Sequence, residues 1–263
     1  MTDKQLDACI LEVLSKFQSA SGVLFQLKEQ QVTAVKNHLL NHNVLAVLPT
    51  GYGKSLIFQS FVVVKELLEN AKACVVVICP LTSIIQDQMA EAKSLAIACV
   101  YLQDIEEIKE NTFQLVFSSA ERVMDKDFKN LLLLHKSICG IVVDESHTVK
   151  AWTGRREKVK GFREAFGHLS ILQSLCKPDT PLLALTGTAD KGTTEAIITS
   201  LGLKKDRVEL FVSPNITNIR ISVVKAKKDA AFTQHHWISD MIREQRLGWS
   251  QDFIVLQHHE RYS

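Results

Sequence analysis

No two cysteines in this chain are spaced Cys-x-x-Cys. The six present, Cys9, Cys74, Cys79, Cys99, Cys139 and Cys176, are scattered, and most lie inside apolar runs. That pattern argues against a zinc site and for buried, reduced thiols. Reduced thiols in turn suit an intracellular compartment. The longest apolar run, Ala73–Leu81, is too short to cross a bilayer, so no membrane partner is expected. The first residues, Met1-Thr-Asp-Lys-Gln-Leu-Asp7, lack the apolar core of a secretory signal. Charge of one sign is lacking too. Lys and Arg number 31 and Asp and Glu 29, for a net +2. Nucleic-acid binding would therefore have to come from local patches. Internal repeats and low-complexity linkers are absent. What remains is 263 residues of ordinary globular composition, 46% hydrophobic and 23% charged. That length allows one large domain, or one domain and a fragment of another.

Thr2 to Phe17 reads as an amphipathic helix. Thr2 and Gln5 have capping-box spacing, and Leu6, Ile10, Val13, Leu14 and Phe17 share a face. Lys28 to Leu40 reads as a second helix. From Val44 onward, apolar runs alternate with helical stretches. The strand-like runs are Val44–Leu48, Cys74–Cys79, Ile97–Tyr101, Leu115–Phe117, Gly140–Val143, Leu182–Thr186 and Val208–Val212. The expected helices between them include Ser55–Glu69, Thr82–Lys93, Phe128–His135, Arg163–Leu175 and Thr193–Leu201. Continuous Val- and Ile-rich runs mark strands buried on both faces. With helical crossovers they predict an α/β fold, a parallel sheet with helices on both faces, preceded by an N-terminal helical segment. Ligands in such sheets collect at the carboxyl ends of strands.

Leu48-Pro-Thr-Gly-Tyr-Gly-Lys-Ser55 is the most informative stretch. Strand, glycine-bearing turn, Lys-Ser and helix together form a phosphate cradle. Gly51 and Gly53 let the backbone curl so that several N–H groups face one anion. The helix that follows adds its positive end. Lys54 can bridge β- and γ-phosphates, and the Ser55 hydroxyl can ligate Mg²⁺. A strict phosphate-loop pattern wants glycine at position 48, where this chain has Leu48. The bland alternative is a glycine turn with a chance Lys-Ser. Ile141-Val-Val-Asp-Glu145 is an apolar run ending in two acids. An ATPase needs a carboxylate at the strand end beside its phosphate loop. Asp144 would hold Mg²⁺ through water, and Glu145 would orient and deprotonate the attacking water. Two solvated acids at a strand tip are the alternative.

Seven motifs in order resemble those of the RecQ family of superfamily-two DNA helicases, over roughly residues 25–225. Leu27-Lys-Glu-Gln-Gln31 is similar to an upstream adenine-reading element. Leu48–Ser55 with Gln59 is similar to the family's phosphate loop. Cys79-Pro-Leu-Thr-Ser-Ile-Ile-Gln-Asp-Gln88 resembles its Pro-Leu-x-Ser-Leu-x-x-Asp-Gln. Ser119-Ala-Glu-Arg122, Asp144-Glu-Ser-His147, Ala184-Leu-Thr-Gly-Thr-Ala189 and Asn218-Ile-Arg220 match in turn. Alanine is usual in the family where Ser146 and Gly187 stand here. The resemblance implies a first RecA-like domain over residues 25–225, after an N-terminal helix over residues 1–24. It implies ATP and Mg²⁺ as cofactors, and single-stranded or forked DNA as partner. Lys54, Asp144, Glu145 and His147 would be catalytic. Gln31, Thr50, Gly51, Gly53, Lys54 and Ser55 would hold the nucleotide, and Ser55 and Asp144 the metal.

The Gln31 amide can donate and accept together, which suits an adenine edge; an exposed helix glutamine is the alternative. Thr82, Ser83 and Gln88 would donate to DNA phosphates, or simply cap a helix. His147 would relay between nucleotide and DNA, or pack as a loop histidine. Thr186 and Thr188 would couple the γ-phosphate to domain movement, or be strand threonines without a role. The family's aromatic-rich loop begins here as Trp152-Thr-Gly154. A basic insertion, Arg155-Arg-Glu-Lys-Val-Lys160, then precedes Phe162-Arg-Glu-Ala-Phe166. Stacking adds ~1–3 kcal/mol per base, and cations add salt-dependent affinity. Trp152, Arg155, Arg156, Lys158, Lys160, Phe162 and Arg163 are therefore the expected DNA contacts, against a solvated charged loop with Trp152 in the core.

The expected activity is that of the ATP-binding half of a 3′-to-5′ DNA helicase, with a nuclear location implied by the resemblance alone. The family hydrolyses ATP between two RecA-like domains, and the second supplies an arginine finger worth ~10³–10⁵ in rate. Residues 226–263 read as a linker helix, Phe232–Arg246, and a truncated start of that second domain at Phe253–Leu256. The expectation is a shortened gene product whose alternative role is an ATP- and nucleic-acid-binding fragment. A transporter ATPase is disfavoured by the lack of a Leu-Ser-Gly-Gly-Gln-like signature.

Overall fold

The structure is a computed structural model of the whole chain. It describes residues 2–102, 113–120, 137–148 and 179–214, together with 122, 125, 126, 128, 129, 132, 176 and 177. These belong to one unit, Met1–Asn215; a second unit, Ile216–Ser263, lies outside the described residues. Outside them too are the expected helix Arg163–Leu175, five of the eight residues of Phe128–His135, Asn218–Arg220, and the linker helix and strand of residues 226–263.

Five helices and seven strands are described, in the order α1 (Asp3–Ser21), α2 (Glu29–Leu39), β1 (Val44–Val47), α3 (Lys54–Glu69), β2 (Cys74–Cys79), α4 (Thr82–Ser94), β3 (Cys99–Tyr101), β4 (Leu115–Ser119), β5 (Ile138–Val143), β6 (Leu182–Thr186), α5 (Lys191–Leu201) and β7 (Val208–Phe211). The strands form one sheet ordered β3-β4-β2-β5-β6-β1-β7. Every pairing is parallel. β1, β2 and β6 are buried along their whole length, as their unbroken apolar sequences predict. β7, at the sheet edge, alternates between half-buried and exposed residues.

Successive side chains point to opposite sheet faces and divide the core into two layers. Val44, Ala46, Val75, Val77 and Phe117 join α1, α2, α3 and α4 on one face. Leu45, Val47, Val76, Ile78, Ile141 and Val143 join α5 on the other. Phe58, Phe61 and Phe117 are fully buried, and burying each such ring stabilises by roughly 1.5–3 kcal/mol. The capping box on α1 forms as its spacing predicts. The Thr2 N–H donates to Gln5 Oε1 at 2.9 Å, and the Gln5 N–H to Thr2 Oγ1 at 3.4 Å. α5 starts two residues before its expected Thr193 because Asp190 is its cap, accepting from the Thr193 N–H at 2.6 Å. Asn43 sets the register at the head of β1. Its side-chain oxygen accepts from the Leu182 N–H at 3.0 Å, and its backbone carbonyl from the Val208 N–H at 2.8 Å.

Cys74, Cys79 and Cys99 are buried, and Cys9, Cys139 and Cys176 half-buried; all are free thiols. Burial pushes Cys139 up to about 12. Among the described residues no helix is long and apolar enough to cross a membrane.

A buried imidazole makes the stability of this fold depend on pH. His38, on α2, is fully buried with its ring edge-on to Phe61, centroids 4.3 Å apart. Neither ring nitrogen has a hydrogen-bond partner among the described residues. Burial pushes the imidazole down to about 3 from 6.5. Below pH 6.5 the unfolded chain therefore takes up a proton that the folded chain refuses. Stability falls with pH over that window, by up to about 1.4 kcal/mol per pH unit. The variant His38→Leu should lose this slope. Denaturant midpoints at pH 7 and pH 5 check it, and an unchanged difference between them would contradict the assignment.

Candidate functional site

Four strands end at one edge of the sheet and release four loops there. β1 leads into the glycine turn, β2 into Pro80 and α4, β5 into Asp144, and β6 into Gly187. The acid-bearing strand β5 does not adjoin β1, because β6 stands between them. The gap is bridged above β6. The Leu48 N–H donates to Thr186 O at 2.9 Å. A Cβ at Gly187 would lie 3.4 Å from Lys54 Nζ and 3.5 Å from Thr50 Oγ1. The loop after β6 is thus packed directly against the phosphate loop.

The turn itself has the backbone its glycines predict. Gly51 and Gly53 sit at φ 76° and 86°, in the left-handed region. At Gly53 space is limiting as well, since a Cβ would come within 2.7 Å of Gln31 Nε2. Helix α3 begins at Lys54 with no side chain capping its first turn. Those N–H groups and the positive helix end face the turn, the arrangement an anion requires. Ser55 lies half-buried on the first turn of α3.

Gln31 is held in a way its motif did not reveal. It is 2% exposed. Its Nε2 donates to the carbonyls of Tyr52 at 3.0 Å and Gly53 at 2.8 Å, and its Oε1 accepts from the Lys28 N–H at 2.7 Å. Both amide protons therefore fasten α2 to the phosphate loop, and only an Oε1 lone pair is left for another donor. The Tyr52 hydroxyl donates to Gln30 Oε1, and Lys28 Nζ lies 4.1 Å from the Tyr52 ring centroid. This clasp ties the element before β1 to the turn after it.

The acids sit on a sharp turn. The Asp144 N–H still donates to Ile78 O of β2 at 2.9 Å, while the Ser146 N–H donates to Leu185 O of β6 at 2.8 Å. Changing partner strands within two residues forces Glu145 to φ 47°. A left-handed glutamate costs ~1–3 kcal/mol, which the two ladders and Thr148 offset. The Thr148 N–H and hydroxyl both donate to Glu145 O, at 3.0 and 2.8 Å. Glu145 then aims its carboxylate into the cleft. Oε1 lies 3.7 Å from Lys54 Nζ and Oε2 3.2 Å from His147 Nδ1. His147 Nδ1 also lies 3.0 Å from Thr186 Oγ1, whose own proton goes to Thr188 O at 3.0 Å. That geometry makes Nδ1 the donor. Lys54, Glu145, His147, Thr186 and Thr188 form one polar chain from the phosphate loop to the loop after β6.

Asp144 is 4% exposed. Burial, then the neighbouring Glu145 charge, raise its pKa, opposed by the Glu145 N–H, Gln88 and Lys54. Its Oδ1 accepts from the Glu145 N–H at 2.9 Å and its Oδ2 from Gln88 Nε2 at 2.5 Å. Gln88, expected at DNA phosphates, is half-buried on α4 with its amide at the Asp144 carboxylate. Thr82 and Ser83 are exposed on the first turn of α4. Trp152, Arg155, Arg156, Lys158, Lys160, Phe162 and Arg163 lie outside the described residues. Magnesium fits the donor set: a hydroxyl at Ser55 and a buried, pre-oriented carboxylate at Asp144 are the hard oxygen ligands it takes.

Sequence reasoning missed Gly187, the Gln31 clasp and the Gln88–Asp144 contact. Only Gly187 carried a signal, as a glycine where the family has alanine. Ser146 departs from the family likewise, and its hydroxyl is buried with no partner among the described residues. Ser146→Ala should remove an unsatisfied group and stabilise by ~1 kcal/mol, raising Tm by about 2–4 °C. A lower Tm in that variant would mean the hydroxyl is bonded.

Comparison with known proteins agrees with this geometry. The family description "DEAD/DEAH box helicase" matches residues 28–197. An ATP-dependent DNA helicase RecQ from Haemophilus influenzae is 30% identical over 232 residues, covering 82% of this chain and 35% of the relative. Its counterpart from Pasteurella multocida is 29% identical over 201 residues, covering 72% and 30%. The chain thus spans about a third of the length of these relatives. Among solved structures, DEAD-box helicase Mss116 bound to ssRNA and UDP-BeF superposes with a TM-score of 0.65 at 18% identity, over 92% of this chain and 53% of that one. At that identity the likeness concerns the fold, and it is the RecA-like fold of a helicase core. The family match over most of the chain, and a phosphate loop and Asp-Glu-Ser-His turn at one edge of that fold, lead to one conclusion: this chain belongs to the DEAD/DEAH box helicases, with RecQ helicases as its relatives.

Proposed function

We propose that this chain is the ATP-binding half of a RecQ-type motor that couples ATP hydrolysis to 3′-to-5′ movement on single-stranded DNA. The observation that carries the reading is the 3.7 Å approach of Lys54 Nζ to Glu145 Oε1. It joins a phosphate-binding ammonium to a general base across an intervening strand. Lys54 would hold the β- and γ-phosphates, and Ser55 and Asp144 the magnesium. The ion would neutralise charge developing on the transferred phosphoryl. Glu145 would align a water and take its proton. His147 and Thr186 would register the loss of the γ-phosphate through the polar chain they share with Glu145. Gln31 would serve the nucleotide through the loop it fastens, with its free Oε1 lone pair left for the adenine amine.

Thr82, Ser83 and the segment from Trp152 to Arg163 are the proposed DNA contacts, on single-stranded or forked substrates. A second RecA-like domain would supply the arginine finger. A nuclear location rests on the resemblance alone. ATP turnover with and without single-stranded DNA, for this chain alone and mixed with a second domain from the family, tests the reading. DNA-stimulated turnover on mixing supports it. Nucleotide binding without turnover in either setting favours a binding fragment.

Lys54→Ala should abolish ATP binding, measured by titration with a fluorescent ATP analogue. Unchanged affinity would remove the phosphate cradle from the account. Glu145→Gln should bind as wild type does while turnover falls by about 10²-fold or more; equal loss of both would contradict its role as base.

A further inference from the structure

Gln88 has a neighbour that its place in a DNA-contacting motif does not explain. Its Nε2 donates to Asp144 Oδ2 at 2.5 Å. The other carboxylate oxygen is held by the Glu145 N–H at 2.9 Å. Both oxygens are thus engaged, the plane of the carboxylate is set, and each still has a lone pair for a metal-bound water. Asp144 is 4% exposed, so bulk water does not take the place of that amide. The orientation of the amide is fixed in turn. Cys79 Sγ donates to Gln88 Oε1 at 3.5 Å. Burial holds the Cys79 thiol protonated, well above the ordinary range, so it remains a donor. Reversing the amide would set its carbonyl against the carboxylate and its NH₂ against the thiol proton.

Helix α4 carries this contact. Ile85, one turn before Gln88, is fully buried and anchors that face of the helix. Thr82 and Ser83 stand exposed on the first turn, which has no side-chain cap. One 13-residue helix therefore has free donors at its start and the Asp144 carboxylate at its middle.

We propose that Gln88 is the positioning residue of Asp144: locked by Cys79, it sets Oδ2 for the magnesium–water shell and ties that carboxylate to α4. This rests on the nucleotide-site reading above. Hydrogen-bond partners of metal-binding carboxylates commonly govern 10–100-fold in metal affinity.

The test is a Mg²⁺ titration of fluorescent ATP analogue binding, beside the same binding in EDTA, for the chain and for Gln88→Leu, Gln88→Met and Cys79→Ser. The two apolar variants should need about ten-fold more Mg²⁺ for half-saturation. Their affinity in EDTA should equal wild type, because Gly51–Ser55 is untouched. Cys79→Ser keeps a donor to Oε1 and should stay close to wild type. A merely structural role would instead lower Tm and weaken binding in both conditions, and that result overturns the proposal. So does an unchanged Mg²⁺ requirement with weakened single-stranded DNA binding measured without nucleotide, which would make Gln88 a phosphate contact. If either apolar variant fails to fold, the other decides. Should the wild-type chain show no Mg²⁺-dependent binding at all, the nucleotide-site reading itself fails. Mg²⁺-dependent wild-type binding with unshifted Gln88 variants removes this inference alone.

Discussion

Lys54 and Glu145 stand 3.7 Å apart at the carboxyl edge of the sheet, although the strands that deliver them are not neighbours. Bringing an ammonium from β1 and a carboxylate from β5 together over β6 constrains much of the surrounding backbone. The loop after β6 has to pass close by, with Gly187 packed against Lys54 and Thr50. The chain has to leave β5 through a left-handed Glu145, so that its amides change from the β2 ladder to the β6 ladder. The phosphate turn has to be fastened from behind, and Gln31 does so with two donated hydrogen bonds. A parallel sheet buried on both faces supplies the rigidity that makes such placement reproducible.

The electrostatics of the cleft are unbalanced in a way that invites ligands. Burial and the adjacent Glu145 charge raise the cost of ionising Asp144, and Lys54 offsets only part of it. The first turn of α3 is a positive pole with no side-chain cap and no acidic residue of its own. A triphosphate with its metal would answer both deficits, with the phosphates at the turn and the cation at the acids. The polar chain from Glu145 through His147 to Thr186 joins that cleft to the loop after β6. Helix α4 meets the cleft through Gln88.

Local pattern served well wherever a residue's fate depends on its near neighbours. The apolar runs became strands within a residue or two of their expected ends, and the Thr2 cap formed with its Gln5 partner. Gly51 and Gly53 took the positive φ that their place in the turn demands. Local pattern failed where a partner lies far off in the chain. Gln88 follows a helix start and so suggests a backbone contact, yet the residue it meets is 56 positions later. The same holds for Gln31 and the carbonyls of Tyr52 and Gly53, and for His38 against the Phe61 ring.

From its own order of residues the chain determined an alternation of strands and helices, a curled phosphate loop and an acidic turn at the end of a buried strand. These follow from hydrophobic period, glycine freedom and capping, all of which act over a few residues. Only the tertiary structure decided that β6 separates β1 from β5, that Gly187 lies against Lys54, and that an amide from α4 meets Asp144. Strand order and register bring those groups together, and both arise from packing across the whole sheet rather than from any one segment.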